Sequence, residues 1–111
     1  MSPAELPTGA PIVLYLREPK EKIWGLLGSL TPSGVLLLGI DLAAFEDWMR
    51  QEVRGEETLL GLVTLFYPMH RVERLERDET VGPVTSYAER FEREVGRTVE
   101  ETLQPGRVRA N

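Results

Sequence analysis

The chain has one histidine, His70, and no cysteine. Thiolate nucleophiles, thiolate metal sites and disulfides are therefore excluded. His70 sits in the run Tyr67-Pro68-Met69-His70-Arg71, close to an aromatic ring and a cation. A histidine can stack on an unpaired base and bond to it. The same residue also reads as a turn histidine bonded to backbone. Lys20, Lys22 and Arg71 are candidate phosphate contacts, because cationic side chains hold nucleic acid by its backbone. Glu18, Glu21 and Glu73 lie near enough in sequence to neutralise them. Tyr15, Trp24, Phe66 and Tyr67 could be stacking platforms, although strand aromatics also fill cores. The carboxylates gather at Glu46, Asp47, Glu52, Glu56 and Glu57. A carboxylate pair can do acid–base work, but no nucleophile stands at a matching spacing, and a solvated helix face accounts for the same residues. No EF-hand spacing occurs. The glycines are isolated among large aliphatics and form no phosphate-cradling loop. These residues point to a protein without catalytic activity, metal or cofactor.

The remaining composition fits one small domain. The chain has 111 residues, enough to bury roughly two-thirds of its unfolded surface without staples. Its net charge of −5 weighs against broad phosphate-driven nucleic-acid binding. It leaves room for a local site, especially one multiplied by oligomerisation. Uninterrupted apolar runs such as 35–38 fall far short of the ~20 residues that a bilayer requires. The first nine residues lack the basic and apolar regions of a signal peptide. The expectation is a soluble, cytoplasmic protein with no membrane partner.

Hydrophobic period then places the elements. Residues 1–10 read as a flexible arm. Residues 11–17 (PIVLYLR) read as a first strand. Residues 23–30 and 35–40 form a hairpin around Thr31-Pro32-Ser33-Gly34, with Pro and Gly where a type I turn takes them. Gly25 and Gly28 weaken a plain strand and suit one that bends sharply. Over 41–53 the period changes: Leu42, Phe45, Met49 and Val53 share one helical face. Asp41 is its N-cap and Gly55 its stop. Residues 58–67 read as a fourth strand and 69–77 as a fifth. In the fifth, Val72 and Leu75 stand three apart, which strict alternation does not allow; a bulge reconciles them. After the linker at 78–83, Ser86 with Glu89 and Thr98 with Glu101 have the spacing of capping boxes. They predict a helical extension over 84–104, with Tyr87, Phe91 and Val95 on its apolar face.

Five short, glycine-bent strands suggest a small twisted barrel, and at this point the chain resembles the Sm-like (LSm/Hfq-like) family. The likeness covers about 11–77. It rests on Ile23-Trp24-Gly25-Leu26-Leu27, the turn at 31–34 and Val35-Leu36-Leu37 for the family's first motif. His70-Arg71-Val72-Glu73-Arg74-Leu75 stands for the second, and Tyr67-Pro68-Met69-His70 is similar to the Tyr-Lys-His of Hfq with one extra residue. Thr31 stands where the family has Asp, and Arg71-Val72 replaces the eukaryotic Arg-Gly. The implied fold is mainly β: a five-stranded, strongly bent Sm-like barrel with a helix inserted between strands three and four and a C-terminal helical tail.

The resemblance implies a homo-oligomeric ring of five to seven subunits, joined edge to edge through the fourth and fifth strands. Leu60, Leu62, Val63, Leu65, Val72 and Leu75 are the implied interface. Single-stranded RNA would meet the loops 31–34 and 67–71 through Thr31, Ser33, Tyr67, His70 and Arg71. The alternative keeps the barrel and drops RNA, leaving a protein-interaction or assembly scaffold.

Overall fold

Strict alternation in Pro11–Leu16 builds the first strand, β1, and divides the protein into two cores. Ile12, Leu14 and Leu16 point to one face and Val13 and Tyr15 to the other, as the period of two requires. The computed structural model describes residues 6–55 and 60–103. Within them, β2 (Glu21–Thr31), β3 (Gly34–Asp41), β4 (Val63–Pro68) and β5 (Val72–Arg77) complete one antiparallel sheet in the order β4-β3-β2-β1-β5. The domain is thus mainly β, as expected. The sheet is not closed into a barrel, however. β4 and β5 end the order, and no ladder joins them among the described residues.

The sheet nonetheless folds its inner face around a core of Ile12, Leu14, Leu16, Ile23, Leu27, Val35 and Leu37. Leu65 and Tyr67 from one edge and Val72 and Leu75 from the other pack against the same cluster. Each fully buried aliphatic contributes about 1.5–3 kcal/mol. Apolar contact therefore brings the two edges toward one core where hydrogen bonds do not.

Two glycines permit the bend. Gly25 faces Gly39 directly across β2 and β3. A Cβ on Gly25 would stand 2.5 Å from the Leu38 carbonyl oxygen and 2.8 Å from the Gly39 Cα, so the two backbones meet where no side chain fits. Gly28 is the extra residue of a β-bulge: Leu27 pairs with Leu37, and Ser29 already with Leu36. A second bulge lies in β5, where Leu16 pairs with Val72 and Tyr15 with Arg74, leaving Glu73 unpaired. It accounts for the three-residue spacing of Val72 and Leu75.

The outer face carries the helices. After β3, Asp41 caps a single 3-10 turn (Leu42–Ala44), its Oδ1 accepting from the Ala43 amide at 2.9 Å. Helix α1 (Phe45–Arg54) follows and ends at Gly55 in the left-handed region, φ 72°. Helices α2 (Tyr87–Val95) and α3 (Val99–Thr102) come from the far end of the chain. Val13, Trp24, Ile40, Phe45, Trp48, Met49, Phe91 and Val99 form the second core between sheet and helices. Its centre is aromatic: Trp48 and Phe91 centroids lie 4.7 Å apart, Trp24 and Phe45 5.3 Å. Such pairs add roughly 0.5–1.5 kcal/mol beyond burial. Among the described residues no helix is long and apolar enough to cross a membrane.

One carboxylate fastens this layer to the sheet. Asp78, just after β5, accepts from the Trp24 indole Nε1 and from the amides of Tyr87 and Ala88, each at 2.9 Å. The Thr80 hydroxyl takes the Ser86 amide and the Ser86 hydroxyl takes Glu89. All four amides that a helix N-terminus leaves open are thereby satisfied in α2. Only half of the expected Ser86–Glu89 box forms, because the Glu89 carboxylate turns instead to Thr80 and Arg93. The Thr98–Glu101 box is complete.

Two boundaries differ from expectation. Residues 8–10 of the expected arm are tied down: the Gly9 amide donates to the Leu27 carbonyl, the Leu27 amide to Ala10, and the Thr8 hydroxyl to Gly28. Residues 9 and 10 prolong the pairing of β1 with β2 beyond Pro11–Leu26. β4 starts only at Val63, because Leu60 and Leu62 pack into the outer core instead of entering the ladder. The expected strand's first residues, 58 and 59, lie outside the described residues, as do 1–5 of the arm and 104 of the helical extension.

Candidate functional site

Three connections converge where β1 ends and β3 and β5 begin. The Arg17 amide donates to the Arg71 carbonyl at 2.9 Å, and the Met69 amide donates to the Ser33 carbonyl at 2.9 Å. The 3-10 turn Met69–Arg71 therefore bridges the β1–β2 turn and the β2–β3 turn. The two loops singled out for RNA, 31–34 and 67–71, are in contact.

Within this cluster the residues have unequal freedom. Thr31 and Ser33 are exposed, and the Thr31 hydroxyl accepts from the Ser33 amide at 3.2 Å, a local turn bond. His70 is exposed on the 3-10 turn. Arg71 is committed. Its Nε donates to the Arg17 carbonyl at 2.8 Å and its Nη2 to the Pro19 carbonyl at 2.9 Å, with the Glu21 carboxylate 3.6 Å away. A guanidinium spent on two backbone carbonyls and a carboxylate is a brace for the β1–β2 turn. Tyr67 is half-buried against the inner core, with the Arg71 guanidinium 5.8 Å from its ring centroid. Burial pushes its phenol above the usual range, the Glu21 charge adds to this, and Arg71 opposes it. The hydroxyl therefore stays protonated and offers a hydrogen bond, not a base. Among the described residues, no group of three or more His, Asp or Glu side chains is placed to hold a metal ion.

The expected interface residues divide in the same way. Leu60 and Leu62 pack on the outer core, and Leu65, Val72 and Leu75 on the inner one. Val63 alone of the six is exposed, at 55%; Phe66, on the other face of β4, is 53% exposed. Alternation places it outward once Leu65 and Tyr67 are assigned inward, so parity was the available signal. On β5 the exposed residues are Glu73, Arg74, Glu76 and Arg77. Contact along these edges would use backbone groups with Val63 and Phe66, while the leucines hold the strands from within.

The outer face of β1 carries a second polar assembly. The sheet register sets Tyr15 between Lys22 on β2 and Arg74 on β5. The Arg74 guanidinium lies 4.1 Å and the Lys22 Nζ 5.7 Å from the tyrosine ring centroid. The Tyr15 hydroxyl donates to Glu76, which also pairs with Arg74 at 3.1 Å. Lys22 and Tyr15 lie seven positions apart in sequence, and the register makes them neighbours. Compared with known protein families, curated proteins and solved structures, the chain matches none.

Proposed function

We propose that the chain is a non-enzymatic assembly module of Sm-like type, in which β4 of one copy pairs with β5 of the next. The observation that carries this reading is the strand order. It leaves two six-residue strands, Val63–Pro68 and Val72–Arg77, at opposite edges of one sheet. A free edge is a template for another strand, and a contact between two different edges repeats head to tail and forms a ring where its rotation closes. Val63 and Phe66 expose apolar side chains on opposite faces of β4. The charged β5 edge limits indiscriminate pairing, which charged edges do generally. Rings of five to seven copies are expected.

Light scattering on the purified chain tests this. Multiples of the monomer mass that fall to one copy in Phe66→Lys with unchanged circular dichroism support edge pairing. A native chain that stays monomeric at high micromolar concentration removes it.

A second reading adds single-stranded RNA, favoured by the contact between loops 31–34 and 67–71 with exposed His70 between them. Bases would meet Thr31, Ser33, Tyr67 and His70, while Arg71 would act through the turn it braces. Filter binding of U-rich and A-rich oligomers at low salt decides. No affinity, with rings intact, leaves the scaffold reading alone.

A further inference from the structure

A groove of about 680 Å³ opens beside the Lys22–Tyr15–Arg74 row, within the ~300–1,000 Å³ of small-molecule sites. Its wall is the cross-strand row itself, and Leu42 and Ala43 supply apolar surface. Both lysines of the chain, Lys20 and Lys22, line it. Their state sets them apart from the other cations. Arg50, Arg71, Arg74, Arg90, Arg93 and Arg97 each lie within ion-pair distance of a carboxylate. Among the described residues Lys20 has no hydrogen bond or ion pair, and Lys22 has only the tyrosine ring.

The groove also contains Glu21, Asp41 and Glu73, but two of them are engaged. Glu21 faces Arg71, and Asp41 caps the 3-10 turn. Glu73 is the bulged residue of β5. Bulges re-aim side chains next to sites, and this one brings Glu73 to the groove. Lys20 and Lys22 thus bring two ammonium groups without ion-pair partners to the groove, beside a guanidinium that lies on the tyrosine face and pairs with Glu76.

We propose that this groove binds a small phosphate monoester with a planar or aliphatic body, of mononucleotide size. The dianion would lie between Lys20 and Lys22, which act as point charges with free donors. The body would rest on Leu42 and Ala43, and Glu73 would accept from a hydroxyl or amino group on it. Every lining residue belongs to one copy, so the site stands whether or not the chain assembles.

Calorimetric titration of the full chain with AMP, adenosine, inorganic phosphate and succinate tests it. AMP is expected to bind at least about tenfold more tightly than phosphate or succinate, with adenosine weaker still. Lys20→Gln/Lys22→Gln should weaken AMP by at least about tenfold with an unchanged urea midpoint. Arg93→Gln, on α2, should not change it. Absence of AMP binding overturns the proposal. So does AMP binding that survives loss of both lysines, and so does equal affinity for AMP and phosphate, which would leave the apolar floor unused.

Discussion

Replacing Asp78 by alanine removes one carboxylate from three donors at once. The Trp24 indole N–H is fully buried, so its orphaning costs about 1–3 kcal/mol. The Tyr87 and Ala88 amides are only partly buried, so water can reach them. Their loss is chiefly that of a charge at a helix N-terminus, about 0.3–1 kcal/mol and up to about 2 in partly buried geometry. Together Asp78→Ala should cost about 2–4 kcal/mol, a large share of the ~5–15 kcal/mol that holds a domain folded. Asp78→Asn keeps one carbonyl oxygen and should cost about half as much. Urea unfolding followed by tryptophan fluorescence measures both, since Trp24 and Trp48 lie in the affected core. A double-mutant cycle with Trp24→Phe isolates the indole bond, with expected coupling of at least about 1 kcal/mol. A cost below about 1 kcal/mol for Asp78→Ala, or no coupling to Trp24, would refute the assignment of Asp78 as the fastening point.

Three further outcomes follow from the packing. Gly25→Ala should destabilise by about 1–3 kcal/mol through overpacking, because the new methyl meets backbone and not a movable side-chain end; an unchanged urea midpoint counts against the close approach of β2 and β3. Phe91→Ala should cost about 3–5 kcal/mol and raise amide exchange across α2 and α3, where unaltered exchange would mean that the helical layer is held elsewhere. Arg90 donates to Glu46 across α1 and α2 and holds that carboxyl below the usual range. The pair's contribution is therefore complete above the ordinary carboxylate pKa and is lost as pH falls through the lowered folded value. Glu46→Gln should flatten the acid limb of the stability profile, and a profile parallel to that of the native chain would show that the pair contributes nothing.

The hairpin at 23–40, the caps at Ser86 and Thr98 and the stop at Gly55 were legible because each depends on residues within a few positions; Asp41 caps the 3-10 turn instead of α1, which begins at Phe45. The bulge in β5 was legible for the same reason: Val72 and Leu75 break alternation locally. Closure of the barrel was not, because whether β4 and β5 share a ladder depends on the bend of the whole sheet. The positions of Leu60 and Leu62 were misjudged because an apolar run does not say which of two cores it serves. The role of Arg71 was hidden as well, since its carbonyl partners at Arg17 and Pro19 carry no side-chain signature. Asp78 looked like a linker residue. Its partners Trp24, Tyr87 and Ala88 are brought together only by the fold, and one chain of letters does not reveal that meeting.

The outer core has a temporal consequence. Its sheet half, Val13, Trp24 and Ile40, is synthesised first and the aromatics of α1 follow soon after. Its lid residues, Phe91 and Val99, come more than forty positions after Trp48 (91 − 48 = 43). At ~5–20 residues per second, a growing chain holds Trp24, Phe45 and Trp48 half-covered for several seconds. The inner core needs nothing beyond Leu75 and can form in that interval. Translation thus imposes an order on the two faces of one sheet, and the aromatic face is the one that a chaperone would meet.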